Sequence, residues 1–287
     1  MKLLLTLLGC WFACLPSVMA QGVTVELTLD QEHYLSREAL VVKVRITNYS
    51  GQTLELGKEE DWLTFVIEGG NNHAVARLAQ VSVKADYRLD SSRTGTIPVD
   101  LASRFDLSRP GHYKVTATVK VAQWRQAVRS DTRSFDIING NKLWEQDFGM
   151  PQATNSVPEV RKYALLQGNH LKELKLYLRV SDAAETQVYR VFPIGPMVSV
   201  SKPEPQLDKY SNLHILYQVG ARSFSYSVIS PDGLIIAKET HDFSTTRPVL
   251  RADLDGRIRV MGGTRRRTPN DLPHPLNSTL SSDDKSQ

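Results

Sequence analysis

Apolar and polar residues alternate along much of this sequence, and this period of two constrains the fold more than any other feature. The alternation is clearest at residues 23–29 (VTVELTL), 42–47 (VKVRIT) and 113–121 (YKVTATVKV). Because successive side chains of a strand point to opposite faces, each stretch presents one face to a core and the other to water. The sequence therefore predicts an all-β fold built from antiparallel sheets.

Turn sequences rich in Gly, Asn and Pro separate these runs, at residues 48–51, 69–72 and 109–111. Further strands are predicted at residues 62–67, around Val81, and at residues 135–138. Together they give roughly seven strands in about 115 residues, which is the size of a β-sandwich.

Two segments of this first half carry a resemblance to a known family. Residues 40–51 read LVVKVRITNYSG, and residues 109–115 read RPGHYKV. These strings resemble bacterial immunoglobulin-like domains of exported proteins, and similar strings occur in a proteinase-inhibitor family. The resemblance covers residues 21–138 and implies a β-sandwich. Since such sandwiches carry many functions, it implies no particular activity.

The first twenty residues have the pattern of a secretory signal peptide. Lys2 supplies the positive charge, residues 3–15 are almost wholly apolar, and Ala20 ends a small-residue exit. The apolar run is shorter than the ~20 residues that a spanning helix needs. We expect cleavage between Ala20 and Gln21, and a location in the periplasm or outside the cell.

A lipoprotein is the alternative for the same segment. Residues 7–10 (LLGC) resemble a lipobox, in which Cys10 would be acylated and become the mature N-terminus. Cys10 and Cys14 are the only cysteines, and cleavage after Ala20 removes both. The mature chain would then form no disulfide, and its stability would rest on buried apolar surface.

The formal net charge of +4 over 287 residues is mild. Together with export, it argues against nucleic acid as a partner. We expect a protein or polysaccharide partner in the envelope, no cofactor and no transmembrane segment, and the sequence leaves open whether the chain forms oligomers.

The second half is predicted to be an antiparallel β-meander domain over residues 139–263, beginning at the polar sequence Asn-Gly-Asn. Strands at residues 163–167 and 174–180, joined by a turn at residues 168–169, are favoured over a helix that starts at Pro158. The tail, residues 264–287, is rich in Pro, Ser and Asp and is expected to be disordered.

A repeat of 45 residues is also predicted, because Pro158, Pro203 and Pro248 are equally spaced. The length matches a four-stranded propeller blade, although coincidence in a proline-rich region is the alternative. The alignment places in equivalent positions Leu176, Leu216 and Val260, and the glycines Gly195 and Gly233. Two and a half blades cannot close a ring, so their open edges would need a cover.

We recognise no catalytic centre and expect no enzymatic activity. Ser199-x-x-Lys202 matches a string used by penicillin-recognising enzymes, but the order fails because the counterpart of their third element, Arg93-Thr94-Gly95, precedes the other two. Ser199 is expected in a strand, whereas such a nucleophile opens a helix. The seven histidines lack zinc-site spacing, and His214 is expected on a sheet face.

Aromatic residues are the best binding candidates. They are Tyr177, Tyr189, Tyr217, Phe224 and Tyr226. On an open sheet face they would form a platform for sugars or a protein partner, and on a covered face they would form a core. Asp253 and Asp255 are weak metal candidates beside a glycine turn. Residues 265–267 (RRR) could contact a phosphate-bearing lipid or an acidic polymer.

These features favour an exported, non-catalytic binding or structural protein of the envelope. One alternative is a secreted proteinase inhibitor that presents residues 69–74 as its inhibitory loop. A hydrolase is the third.

Intact-mass analysis of the exported protein tests the signal-peptide assignment. We expect a mass that begins at Gln21, unmodified or cyclised, because the small-residue exit places the cut after Ala20. A diacylated terminus at Cys10 would contradict this and indicate a membrane anchor.

Overall fold

The computed structural model describes residues 22–70, 73–81, 83, 87–150, 159–170 and 173–272. Its regular structure is almost entirely β-strand, so the predicted all-β class is confirmed. The strands of the first half are β1 (Val23–Leu29), β2 (His33–Leu35), β3 (Val41–Asn48), β4 (Leu54–Leu56), β5 (Leu63–Glu68), β6 (Tyr87–Leu89), β7 (Thr94–Asp100), β8 (Gly111–Val121), β9 (Gln126–Arg129) and β10 (Arg133–Ile138).

The strands of the second half are β11 (Asn141–Gly149), β12 (Val160–His170), β13 (Glu173–Asp182), β14 (Val188–Pro196), β15 (Glu204–Leu207), β16 (Leu213–Gln218), β17 (Ser223–Ile229), β18 (Ile235–Asp242), β19 (Val249–Ala252), β20 (Ile258–Met261) and β21 (Thr264–Arg266).

The first half is a pair of sheets that share one apolar core. One sheet has the order β1-β3-β7, and the other has the order β2-β10-β8-β5, with β9 also paired to β8. The alternating apolar residues of β1, β3 and β8 are buried in a single cluster with Trp62. The period of two thus predicted these three strands correctly.

The sequence was misleading where the sandwich departs from simple alternation. Val81 is buried but lies outside any strand, so the strand predicted there is wrong. Strands β6 and β7 lie nearby instead, and the alternation in β7 (TGTIPVD) is short, with Ile97 and Val99 as its only two large apolar residues and Pro98 between them. Gly95 in β7 is required by the approach of Tyr87, whose Oη would lie 1.6 Å from a Cβ at that position.

The second half contains two antiparallel meanders, with sheet orders β11-β12-β13-β14 and β15-β16-β17-β18-β21. Strand β12 replaces the alternative helix. The predicted turn at residues 168–169 is wrong, because Gly168 and Asn169 pair with Lys175 and Leu174 inside the ladder. Gly168 serves close packing, since a Cβ there would lie 3.0 Å from the Tyr177 ring.

These sheets stack face to face. A cluster between the meanders joins residues such as Tyr163 and Leu178 to Leu213 and Ile215. On its opposite face, the second meander packs against the hairpin β19–β20 through Leu250 and other apolar residues. The outer face of the first meander contacts the sandwich half through Leu35, Leu166, Tyr177, Val191 and Ile138. The molecule is therefore a series of layers that starts with the sandwich and ends at a two-stranded sheet.

The predicted repeat is wrong in its first unit. Leu176 lies in β13, the third strand of its sheet, whereas Leu216 lies in β16, the second strand of the next sheet. Gly195 lies within β14, whereas Gly233 lies in the turn before β18. Pro158 lies outside the described residues.

The later two units correspond better. Pro203 and Pro248 each directly precede a first strand, β15 and β19, and each of these is followed by its antiparallel neighbour. A 45-residue repeat therefore stays a prediction for these two units alone.

The tail expectation is also corrected in part. Residues 264–266 form β21, which pairs with β18, and Leu272 pairs with Lys238 through two backbone hydrogen bonds. These contacts cover the free edge of β18, which the Pro-, Ser- and Asp-rich composition of the tail did not indicate. Residues 273–287 lie outside the described part of the chain. No helix among the described residues is long and apolar enough to cross a membrane.

A fragment experiment tests the predicted boundary at residues 139–141. Residues 21–138 contain the whole first cluster, and only a small contact joins that half to β12 and β13. We expect the fragment, expressed alone, to unfold in one cooperative transition. Circular dichroism in increasing urea measures this transition. A fragment that is soluble only when residues 139–263 are present would show that the two halves form one folding unit.

Candidate functional site

The hairpin β19–β20 is the last layer of the stack. Its inward residues Leu250 and Ile258 are buried against the second meander. Its outward residues Arg251 and Arg259 are exposed and lie directly opposite each other in the ladder. Two like charges in directly opposite positions destabilise a strand pair, so this outer face is not optimised for stability.

Positive charge is concentrated around this hairpin. Residues 247–267 contain seven arginines and two aspartates, a net charge of +5, whereas the whole chain carries +4. We define the arginine surface as Arg251, Arg257 and Arg259, all of which are exposed. Arg259 contacts Asp253 at 3.4 Å, while Arg251 and Arg257 contact no carboxylate within the described residues. The rest of the chain is close to neutral, and the charge is therefore localised.

Strand β20 has an open outer edge. Leu250 of β19 donates its N–H to the Glu204 carboxylate at 3.3 Å, and its carbonyl accepts from Gln206 at 3.4 Å. Both groups thus point away from β20, so Leu250 and Val260 form a pair that exchanges no ladder hydrogen bonds. The N–H and C=O of Val260 consequently point outward, and they meet no backbone partner in the described part of the chain.

Polar contacts fix the hairpin to the meander beneath it. Glu204 of β15 binds the Leu250 backbone and also contacts the Arg247 guanidinium at 3.7 Å. The Arg247 guanidinium in turn lies 5.1 Å above the centre of the Phe224 ring. These contacts set the direction in which the chain enters β19, and with it the position of the arginine surface.

A buried hydrogen-bonded chain lies in the meander sheet below. The His214 Nδ1 is 2.7 Å from the Tyr226 hydroxyl, and its Nε2 is 3.3 Å from the Asp208 carboxylate. Asn212 donates to both oxygens of Asp208, through its backbone and its side chain. Burial alone would raise the pKa of Asp208, but the hydrogen bonds from Asn212 and His214 hold it below its usual value. Burial also raises the pKa of the Tyr226 hydroxyl.

His241 extends this polar stripe to the edge of the sheet. Its Nε2 lies 3.1 Å from the Glu239 carboxylate, and its ring packs edge-on to Tyr226. Glu239 is also 3.3 Å from Arg265 of β21. His214 was expected on a sheet face, and it does lie there, but the face is covered by the hairpin and the side chain is buried. The alternation of apolar and polar residues did not indicate that the hairpin would cover this face.

Four of the five aromatic candidates are part of the hydrophobic core. Tyr177, Tyr217, Phe224 and Tyr226 are each at most 3% exposed, because sheets pack on both sides of the layers that carry them. An open aromatic platform made of these four rings is therefore excluded. Tyr189 alone is accessible, and the Arg161 guanidinium lies 4.5 Å above the centre of its ring.

The weak metal candidates, Asp253 and Asp255, lie in the turn of the hairpin β19–β20. One oxygen of Asp253 accepts the backbone N–H groups of Asp255 and Arg257, at 3.0 and 2.8 Å, and its other oxygen contacts Arg259. These are the contacts of a hairpin turn. Over the described residues, no group of three or more His, Cys, Asp or Glu side chains is placed to hold a metal ion.

The remaining candidates also find local explanations. Ser199 lies in a turn and neither in the expected strand nor at the start of a helix. In the 69–74 loop, Gly69 donates to the carbonyl of His73 and Glu68 pairs with Ala74, so the described ends of the loop pair with each other. Gly70 is the next residue of the loop, and the two after it, Asn71 and Asn72, lie outside the described residues.

Comparison with known proteins adds no relative. A scan against protein-family models, a search of curated proteins and a search of solved structures each returned no match. The candidate site therefore rests on the geometry of this chain alone.

Sequence reasoning noticed residues 265–267 but missed Arg251, Arg257 and Arg259. Two of the arginines at residues 265–267 lie in β21 and are paired, Arg265 with Glu239 and Arg266 with Asp242. Two features of the sequence could have indicated the arginine surface. They are the excess of arginine over residues 247–267 and the alternation of charged and apolar residues at Arg257-Ile258-Arg259-Val260.

Substitution of Asp208 tests the buried chain. Asp208→Ala removes the acceptor of four hydrogen bonds, and we expect the free energy of unfolding to fall by about 1–3 kcal/mol at neutral pH. Because the folded pKa is depressed, this contribution is present above the usual aspartate value and is lost as the pH falls through the folded pKa. Urea unfolding from pH 7 to pH 3 measures it.

Asp255→Ala is the matched control for this experiment, since the Asp255 side chain is exposed and bonds to no described group. We expect it to leave stability unchanged. Equal losses in the two variants, or a loss in Asp208→Ala that does not shrink in acid, would contradict the role given to Asp208.

Proposed function

We propose that this is an exported, non-catalytic binding protein of the cell envelope. Its β19–β20 hairpin binds an acidic, extended segment of a partner protein, which adds to β20 as a third strand. The observation that carries the proposal is the combination, in one two-stranded sheet, of an open backbone edge and an exposed arginine face. Export is supported by the first twenty residues, and the immunoglobulin-like relationship of the first half by its paired sheets.

The backbone supports strand addition as the binding mode. The sheets beneath the hairpin have four and five strands, whereas the hairpin has two. An unpaired edge offers a row of N–H and C=O groups to another strand, and peptide recognition commonly uses such an edge. On β20, Val260 contributes one outward N–H and one outward C=O to this edge. The ladder hydrogen bonds supply affinity, and the neighbouring side chains supply selectivity.

The charges support an acidic partner. A third strand on β20 would lie next to Arg259, with Arg257 at its end, and carboxylates there would relieve the repulsion between Arg251 and Arg259. A second copy of this chain, paired through the same edge, would bring the same arginines together and is disfavoured. Met261 and Leu254 are exposed beside the arginine surface and offer additional apolar contacts to the bound segment.

The proteinase-inhibitor alternative has weaker support. An inhibitory loop presents an extended backbone to a protease, whereas in the 69–74 loop the Gly69 N–H is already bonded to the carbonyl of His73 within the chain. No observation at Ser199 favours a hydrolase.

Charge reversal tests the arginine surface. A decamer of poly-L-glutamate serves as the acidic extended probe, measured by fluorescence anisotropy at low salt. We expect Arg251→Glu with Arg259→Glu to weaken binding at least tenfold, equivalent to about 1.4 kcal/mol. Binding should also weaken as salt screens the charges. The matched control is Arg45→Glu with Arg129→Glu, two exposed arginines on strands of the sandwich, which should change affinity little.

A proline substitution separates strand addition from simple charge attraction. The N–H of Val260 donates to no ladder partner, so Val260→Pro should leave the hairpin folded while removing an edge donor. We expect this variant to lose affinity for the probe with all arginines present. Equal binding by Val260→Pro and the parent would contradict strand addition. Tighter binding to phosphatidylglycerol vesicles or to heparin than to the peptide would indicate a lipid or polysaccharide partner instead.

A further inference from the structure

A polar cleft lies where the sandwich meets the first meander, at the other end of the series of layers from the hairpin β19–β20. It has a volume of about 330 Å³ and is lined by His33, Ile138, Asn139, Asn141, Gln167, Asn169 and Leu174. A second cavity of about 570 Å³ shares Gln167, Asn169 and Leu174 and extends towards residues 197–199. Ligand sites commonly have such volumes and occur where two folded units meet.

Four amide side chains distinguish this cleft. Asn141 of β11 lies directly opposite Gln167 of β12, so the two side chains share one sheet face, and Asn169 lies two residues further along the same face. Asn139 enters from the sandwich side. None of the four makes a side-chain hydrogen bond with any residue that the structure describes. Their donors and acceptors are therefore available to a ligand.

Close packing holds the walls of the cleft together. Gly140 lies between Asn139 and Asn141, and a Cβ there would lie 3.1 Å from Leu166 and 3.2 Å from Leu35. A larger residue would require Leu166 or Leu35 to shift. The backbone that carries both amides is thus seated against the junction, in line with a site that is formed before its ligand arrives.

The chemistry of the lining points to an uncharged ligand. Among the residues that the structure describes, the ionisable groups that line the cleft are His33, which contacts Asp136 at 3.4 Å, and, at the adjoining cavity, Glu173. Amides offer both donors and acceptors without net charge, which matches hydroxyl and N-acetyl groups. Ile138 and Leu174 add apolar surface for the C–H face of a ring. An extended peptide would gain most along an open strand edge, whereas these amides stand on a sheet face.

We propose that this cleft binds a neutral oligosaccharide, with Asn141 and Gln167 as the central hydrogen-bonding pair. The site is independent of the arginine surface, since the two share no residue. The protein would then hold a neutral sugar and an acidic protein segment at different places.

Titration calorimetry with two neutral probes, chitotetraose and maltotetraose, tests this proposal on the mature full-length chain. We expect at least one probe to bind, and Asn141→Ala with Gln167→Ala to weaken its binding at least tenfold. The matched control, Gln126→Ala with Asn270→Ala, removes two exposed amides elsewhere and should leave affinity unchanged. The Arg251→Glu, Arg259→Glu variant should also bind the sugar normally, which separates this proposal from the proposed function.

Circular dichroism and thermal unfolding establish that each variant is folded. Absence of binding to both sugars at millimolar concentration would overturn the proposal, as would binding that survives loss of Asn141 and Gln167. A neutral peptide such as tetra-alanine that binds more tightly than either sugar, with the same dependence on these amides, would overturn it in favour of a peptide ligand.

Discussion

The fold depends on the burial of both faces of the second meander. Apolar residues occupy one face of β16 and β17, including Ile215 and Ile229, and another set occupies the other face, including Phe224 and Val228. A sheet that is apolar on both sides must be covered on both sides. The first meander provides one cover and the hairpin β19–β20 provides the other. The hairpin is held mainly by its apolar contacts with the second meander. Its outer face, which carries the arginines, and the edge of β20 do not take part in these contacts.

The same constraint explains which parts of the fold could be predicted. Strands β1, β3 and β8 have one wet face, and their alternation identified them directly. Strands β16 and β17 are buried on both sides, so that serines and a histidine occupy covered positions, and alternation no longer separates inside from outside. This is why the Phe224 and Tyr226 rings could be read either as a platform or as a core. Only the tertiary stacking decides between them.

The candidate sites depended even more on tertiary information. Arg251 and Arg259 are eight residues apart, and their opposition follows from a ladder whose register the sequence did not specify. Asn141 and Gln167 are 26 residues apart and meet only because β11 and β12 pair over most of their length. Pro203 and Pro248 each directly precede a strand, but the equal spacing of prolines placed Leu176 one strand away from its supposed equivalent. Spacing along a chain does not fix the strand on which a residue falls.

Residue-resolved hydrogen exchange tests the central claim, that the stack ends in an open strand edge which an acidic segment completes. In the free protein, the Val260 amide should exchange quickly, while the Arg259 amide, which donates across the hairpin, should exchange more slowly. Addition of the glutamate decamer should slow exchange at Val260 and leave the cleft residue Gln167 unchanged. Exchange at Val260 that is slow in the free protein, or unchanged when the decamer binds, would contradict this account.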